Sequence, residues 1–93
     1  MIEYKFKENK LISELQAYID STYGEHYAKN GIQANEFIMD CNHAEGFAIG
    51  NIIKYAQRYG KKGSTDGHRR DIFKILHYTL ILLANHDRRY NND

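Results

Sequence analysis

Gly46-Phe47-Ala48-Ile49-Gly50-Asn51-Ile52-Ile53-Lys54-Tyr55-Ala56-Gln57-Arg58-Tyr59-Gly60-Lys61-Lys62 is the stretch on which the reading of this chain turns. Ile49, Ile52, Ile53 and Ala56 recur three and four residues apart, the spacing of one apolar helix face. Asn51, Lys54 and Arg58 follow at i, i+3 and i+7 and share another face. The pattern predicts a helix over residues 44–59 with a buried isoleucine stripe and a polar stripe opposite it. Gly60-Lys61-Lys62-Gly63 ends that helix, because glycine is the residue that most readily turns the chain out of it. Gly46 and Gly50 lie one turn apart, a spacing that permits close approach by a helix or a ligand.

Downstream, Ser64 or Thr65 can cap a further helix whose apolar face is Ile72, Phe73, Leu76, Leu80 and Leu83, fraying near Asp87. Upstream, Ile32, Phe37, Ile38 and Cys41 predict a short helix ending near Asn42. Before it, Asn9 as cap and Leu11, Ile12, Leu15 and Ile19 predict a helix that Gly24 stops. Ile2, Tyr4 and Phe6 alternate with Glu3, Lys5 and Lys7, a strand-like period with no second strand to pair with. The expected architecture is all-α: one helical domain over residues 1–93, a compact bundle of about four helices. Residues 1–8 form a short extended or strand-like N-terminal arm, 9–88 the helical core and 89–93 a frayed tail.

A domain of 93 residues buries a modest share of its surface, so self-association is expected, with Ile2, Tyr4 and Phe6 among the contacts. Thirteen basic against twelve acidic residues leave a charge of +1, which argues against general nucleic-acid binding and requires any electrostatic function to come from local clustering. A lone Cys41 forms no internal disulfide and reads as a buried thiol. No segment has the order of a signal peptide, and the strongly apolar stretch over residues 78–84 is about a third of a membrane span. A cytoplasmic protein without a membrane anchor is the expectation. His26, His43, His68, His77 and His86 lack the spacing of metal ligands, and Cys41 and His43 point to different helix faces, so no metal site is expected.

The cations offer chemistry. Arginine presents a planar donor fork to phosphate and lysine a point charge, while tyrosine can stack on a base or hydrogen-bond a sugar. Asn51, Lys54, Tyr55, Arg58, Tyr59, Lys61 and Lys62 bring these groups into one segment. If the next helix packs antiparallel, Lys74 and Tyr78 converge on them, with Arg70 and His77 nearby and Asp71 as a candidate base. The ligand so read is a nucleotide or another phosphorylated small molecule. The plain alternative is a solvated basic face making surface ion pairs, and Asp71 then serves as a helix-start charge or as an ion-pair partner of Lys74.

The Gly46 to Lys62 stretch resembles the signature of a small phage-encoded family whose members are often labelled SaV-like or nucleotide kinase. His26-Tyr27 echoes its opening His-Tyr pair and Gly31-Ile32 its Gly-Ile step. Asp71, Lys74 and Tyr78 match its later Asp, Lys and Tyr, so the likeness covers roughly residues 26–83. Gln33 stands where the family commonly has an acidic residue and Ile75 where it has a small one; the first change removes a carboxylate that catalysis could use. The resemblance implies a phage-type protein connected with nucleotides, acting in the host cytoplasm. It would be either a non-P-loop nucleotide kinase, needing ATP and magnesium, or a sponge that binds a nucleotide signal without turning it over. No GxxxxGK[ST] loop is present and no acidic pair flanks the basic stripe, so binding ranks above catalysis. The other class of function is a non-enzymatic phage protein that binds and modulates a host protein.

Overall fold

The computed structural model describes residues 1–24, 36, 38, 41–61 and 63–90. The chain divides into two units, residues 1–31 and 32–93. Three helices, α1 (Glu8–Thr22), α2 (Ala44–Arg58) and α3 (Thr65–Tyr90), are the extended elements among the described residues, and no strand occurs there.

In the first unit, the alternation at Ile2, Tyr4 and Phe6 does not produce a strand, since no neighbouring strand among the described residues supplies a ladder. Residues 1–4 carry no regular structure and a turn at Lys5 and Phe6 leads into α1. Asn9 lies inside α1 and does not cap it. Lys7 precedes the helix in the left-handed region (φ 58°), and the Glu8 carboxylate accepts the Phe6 N–H at 2.9 Å. Thr22 and Ser21 hydroxyls donate back to the Ile19 and Tyr18 carbonyls in the last turn, an arrangement that competes with helix continuation. α1 buries none of its residues fully, although Leu15 and Ile19 are half-buried.

In the second unit, Glu36 and Ile38 are helical. The rest of the helix expected there, with Ile32 and Phe37, lies outside the described residues. So do His26, Tyr27, Gly31, Gln33 and Lys62. Cys41 is exposed, not buried as expected. α2 begins where the periodicity predicted and ends at Arg58, where Gly60 (φ 78°) and Gly63 (φ 88°) take up left-handed backbone that a side chain would strain. Ser64 caps α3, its hydroxyl accepting the Gly67 N–H at 3.2 Å, and the helix runs past Asp87 to Tyr90.

α2 and α3 pack as an antiparallel hairpin: Arg58 meets Asp71 beside the connecting turn, and Glu45 meets Arg89 at the far end (3.2 Å). The face they use is the reverse of the expected one. Ala44, Ala48, Tyr55 and Asp71 are buried, whereas Ile49, Ile53, Ala56, Ile72, Leu76, Leu80 and Leu83 are exposed and Ile52 and Phe73 half-buried. The reason is steric and electrostatic. Ala44 and Ala48 let the two backbones approach closely, and Asp71 can be buried only where Arg58 reaches it. Gly46 and Gly50, the expected points of close approach, face open space, with nothing within 4 Å of where a Cβ would stand.

Candidate functional site

The seam of the hairpin is polar and aromatic. On α2 it follows Ala44, Ala48, Asn51, Tyr55 and Arg58, at intervals of four and three residues, and on α3 it includes Asp71, Lys74 and Tyr78. This periodicity was present in the sequence beside the isoleucine stripe, and its small and polar members concealed it.

Asp71 is 2 % exposed and receives two donors from one guanidinium: Arg58 Nε to Oδ2 at 3.2 Å and a terminal Arg58 nitrogen to Oδ1 at 2.5 Å. A bidentate charge-assisted pair fixes the position of both groups. The hydrogen bond from Arg58, with further attraction from Arg58, Lys74 and His68, holds the Asp71 carboxyl below its ordinary range against the opposing effect of burial. The same bond raises the Arg58 pKa. Asp71 is therefore a structural carboxylate at its post, not one poised to take a proton, and its partner is Arg58 in place of the Lys74 pair read from spacing.

Around this pair stands a cluster of cations on one ring. Lys54 Nζ lies 5.1 Å, Lys74 Nζ 5.2 Å and the Arg58 guanidinium carbon 4.9 Å from the centroid of Tyr55. The negative face of an aromatic ring tolerates such neighbours, so Tyr55 lets like charges gather where the two helices meet. Tyr78 stacks on Tyr55 (6.1 Å, 15° between planes) and takes the edge of Phe47 at 5.7 Å. Being buried between cations and Tyr78, Tyr55 is a support for the cluster and not a platform for a base. Asn51 is half-buried and its amide donates to the Phe47 carbonyl of its own helix at 2.9 Å.

Of the residues expected at the site, Lys54, Tyr55, Arg58, Lys74 and Tyr78 thus converge, with Asn51 on the same seam. Tyr59 does not join them; it is exposed and meets His68 edge to face at 6.0 Å. Lys61 is exposed in the turn. Sequence reasoning missed Phe47 and His68. The Nε2 of His68 is buried without a hydrogen-bond partner among the described residues, and no periodicity marks it in advance. Burial pushes the pKa of His77 down. A groove of about 380 Å³ lies at the other end of the hairpin, among Glu45, Ile49, Leu82, His86, Arg89 and Tyr90, and contains none of the expected site residues. No group of three His, Cys, Asp or Glu among the described residues comes together as metal ligands would, and no helix there is long and apolar enough to cross a membrane.

A family described as protein of unknown function, DUF3310, matches the chain over residues 21–79. The match runs from the end of α1 through all of α2 into α3 and contains every residue of the cation cluster. The chain belongs to that family. No curated protein and no solved structure matches it.

Proposed function

We propose that this member of the DUF3310 family binds a phosphorylated small molecule, a nucleotide first among them, at the α2 and α3 cation cluster. The observation that carries the reading is the approach of Lys54 and Lys74, from two different helices, to the same tyrosine ring. Three cations gather there on one tyrosine ring, and the buried carboxylate of Asp71 is matched by Arg58. The positive charge left over on the two lysines calls for an anion, and an ammonium on a flexible stem suits a phosphate as a point charge. Lys54 and Lys74 then contact the ligand, Arg58 and Asp71 lock the helices that present them, and Tyr78 borders the site. Lys61 in the turn adds long-range attraction.

The sequence likeness to SaV-like phage proteins labelled nucleotide kinase supports a nucleotide as the anion and a phage-type origin. Binding without turnover fits better than phosphoryl transfer. A kinase would need carboxylates free to hold magnesium, and the carboxylate within the cluster is occupied by Arg58. A thermal-shift panel of nucleoside mono-, di- and triphosphates, cyclic nucleotides and inorganic phosphate tests this. A ligand bound only by the folded chain raises the melting temperature by mass action, by about 2.7 kcal/mol of stability at a hundred times its dissociation constant. A panel without any shift at millimolar ligand would sink the proposal.

A further inference from the structure

The groove of about 380 Å³ lies at the end of the hairpin away from the cation cluster. Tyr55 and Glu45 stand ten residues apart on α2, about 15 Å at 1.5 Å per residue, so the two places are separate. Its volume falls within the range of small-molecule sites, about 300 to 1,000 Å³. The lining carries both signs of charge. Arg89 Nη1 donates to Glu45 Oε2 at 3.2 Å, which engages one oxygen of the carboxylate and one donor of a fork that has several. Both side chains are more than half exposed. Such a pair adds little to stability, and either charge can turn to a ligand at small cost. Glu45 in the first turn of α2 and Arg89 in the last turn of α3 each suit the dipole of their own helix. That explains each charge alone, and not why the two meet beside apolar surface. Ile49, 39 % exposed, and the half-buried Leu82 supply that surface. Asn85 lines the same groove half-buried, and its amide makes no hydrogen bond among the described residues.

We propose that this groove binds a free α-amino acid with a bulky apolar side chain. The ligand carboxylate takes the Arg89 fork, its ammonium takes the Glu45 carboxylate, and its side chain covers Ile49 and Leu82. Asn85 has both a donor and an acceptor to offer, and so serves either ligand charge. The match lies in the spacing. Glu45 and Arg89 stand 3.2 Å apart, and a free amino acid carries its two opposite charges on neighbouring atoms. The end of a peptide brings only one of them and leaves the other protein charge unanswered. A phosphate meets repulsion from Glu45, so the groove selects against the anion proposed for the cation cluster. The two proposals are independent, since none of the groove residues belongs to that cluster.

Calorimetric titration of the full chain with L-leucine and L-phenylalanine at millimolar concentration tests the site. Binding of at least one of them is expected. N-acetyl-leucine lacks the ammonium, leucine amide lacks the carboxylate and glycine lacks the side chain. Each should bind roughly tenfold or more weakly than leucine. Glu45→Gln and Arg89→Gln should each weaken binding of the amino acid roughly tenfold, with circular dichroism showing that the helix content is kept. The comparison of derivatives uses the wild-type chain and decides the matter even where a variant fails to fold. Absence of binding by both amino acids overturns the proposal. So does equal binding of the blocked derivatives, as when the groove takes any apolar molecule. Unchanged affinity in both folded variants also overturns it, because the amino acid then sits elsewhere.

Discussion

A carboxylate that is 2 % exposed keeps its charge only where donors replace the lost water, and at Asp71 the Arg58 guanidinium supplies two. Its folded pKa lies below the ordinary value of about 4. The stabilisation linked to that depression is fully present above the ordinary value and is lost as pH falls through the depressed one. Asp71→Asn should therefore lower the melting temperature at neutral pH and flatten its decline in acid, read by circular dichroism from pH 6 to 2. A wild-type decline equally steep in the variant would show that other carboxylates set it. Arg58→Ala leaves the buried carboxylate without its donors and should destabilise the chain more than Lys54→Ala, which removes only an exposed charge. His77 acts in a different window. Burial lowers its pKa, so the neutral ring favours the folded chain, and this contribution is complete above about pH 6.5 and falls away below it. His77→Gln should reduce the loss of stability between pH 7 and 5, and an unchanged loss would contradict that role.

At the scale of the helix, small residues decide which faces meet. Ala48 is fully buried at the hairpin seam while Gly50, two residues on, faces open space. Ala48→Leu should force the helices apart and cost about 1–3 kcal/mol, as overpacking commonly does. Gly50→Ala should stabilise by about 0.5–1 kcal/mol through helix propensity alone. Denaturant titrations read both, and the opposite order of effects would restore the isoleucine stripe as the true contact. The helices themselves were legible in the sequence: α2 and the start of α3 fall where the periodicity and the Ser64 cap place them. Their orientation was not. Periodicity reports which side chains share a face, and at Ile49, Ile53, Leu76 and Leu80 the most apolar face is not the one turned toward the neighbouring helix. The cation cluster was legible as a set, since Lys54, Arg58, Lys74 and Tyr78 do meet. The division of labour within it was hidden, because a bidentate pair thirteen residues apart leaves no local signal.

For the molecule as a whole, the packing of α3 on α2 is what brings the candidate site together. One face, with Asp71, Lys74 and Tyr78, closes on α2 and frames the proposed ligand site. The central claim is that the two lysines on one tyrosine hold an anion, and the most direct measurement is a calorimetric titration. It uses whichever nucleotide of the thermal-shift panel gives the largest shift, on the wild-type chain and on Lys54→Ala, Lys74→Ala and Lys10→Ala. Loss of a charge-assisted contact should weaken binding roughly tenfold to a hundredfold in the first two variants. Lys10→Ala, on the exposed surface of α1, should bind as the wild type does. Equal affinity in all four folded proteins would contradict the account and reduce the cluster to a solvated basic face.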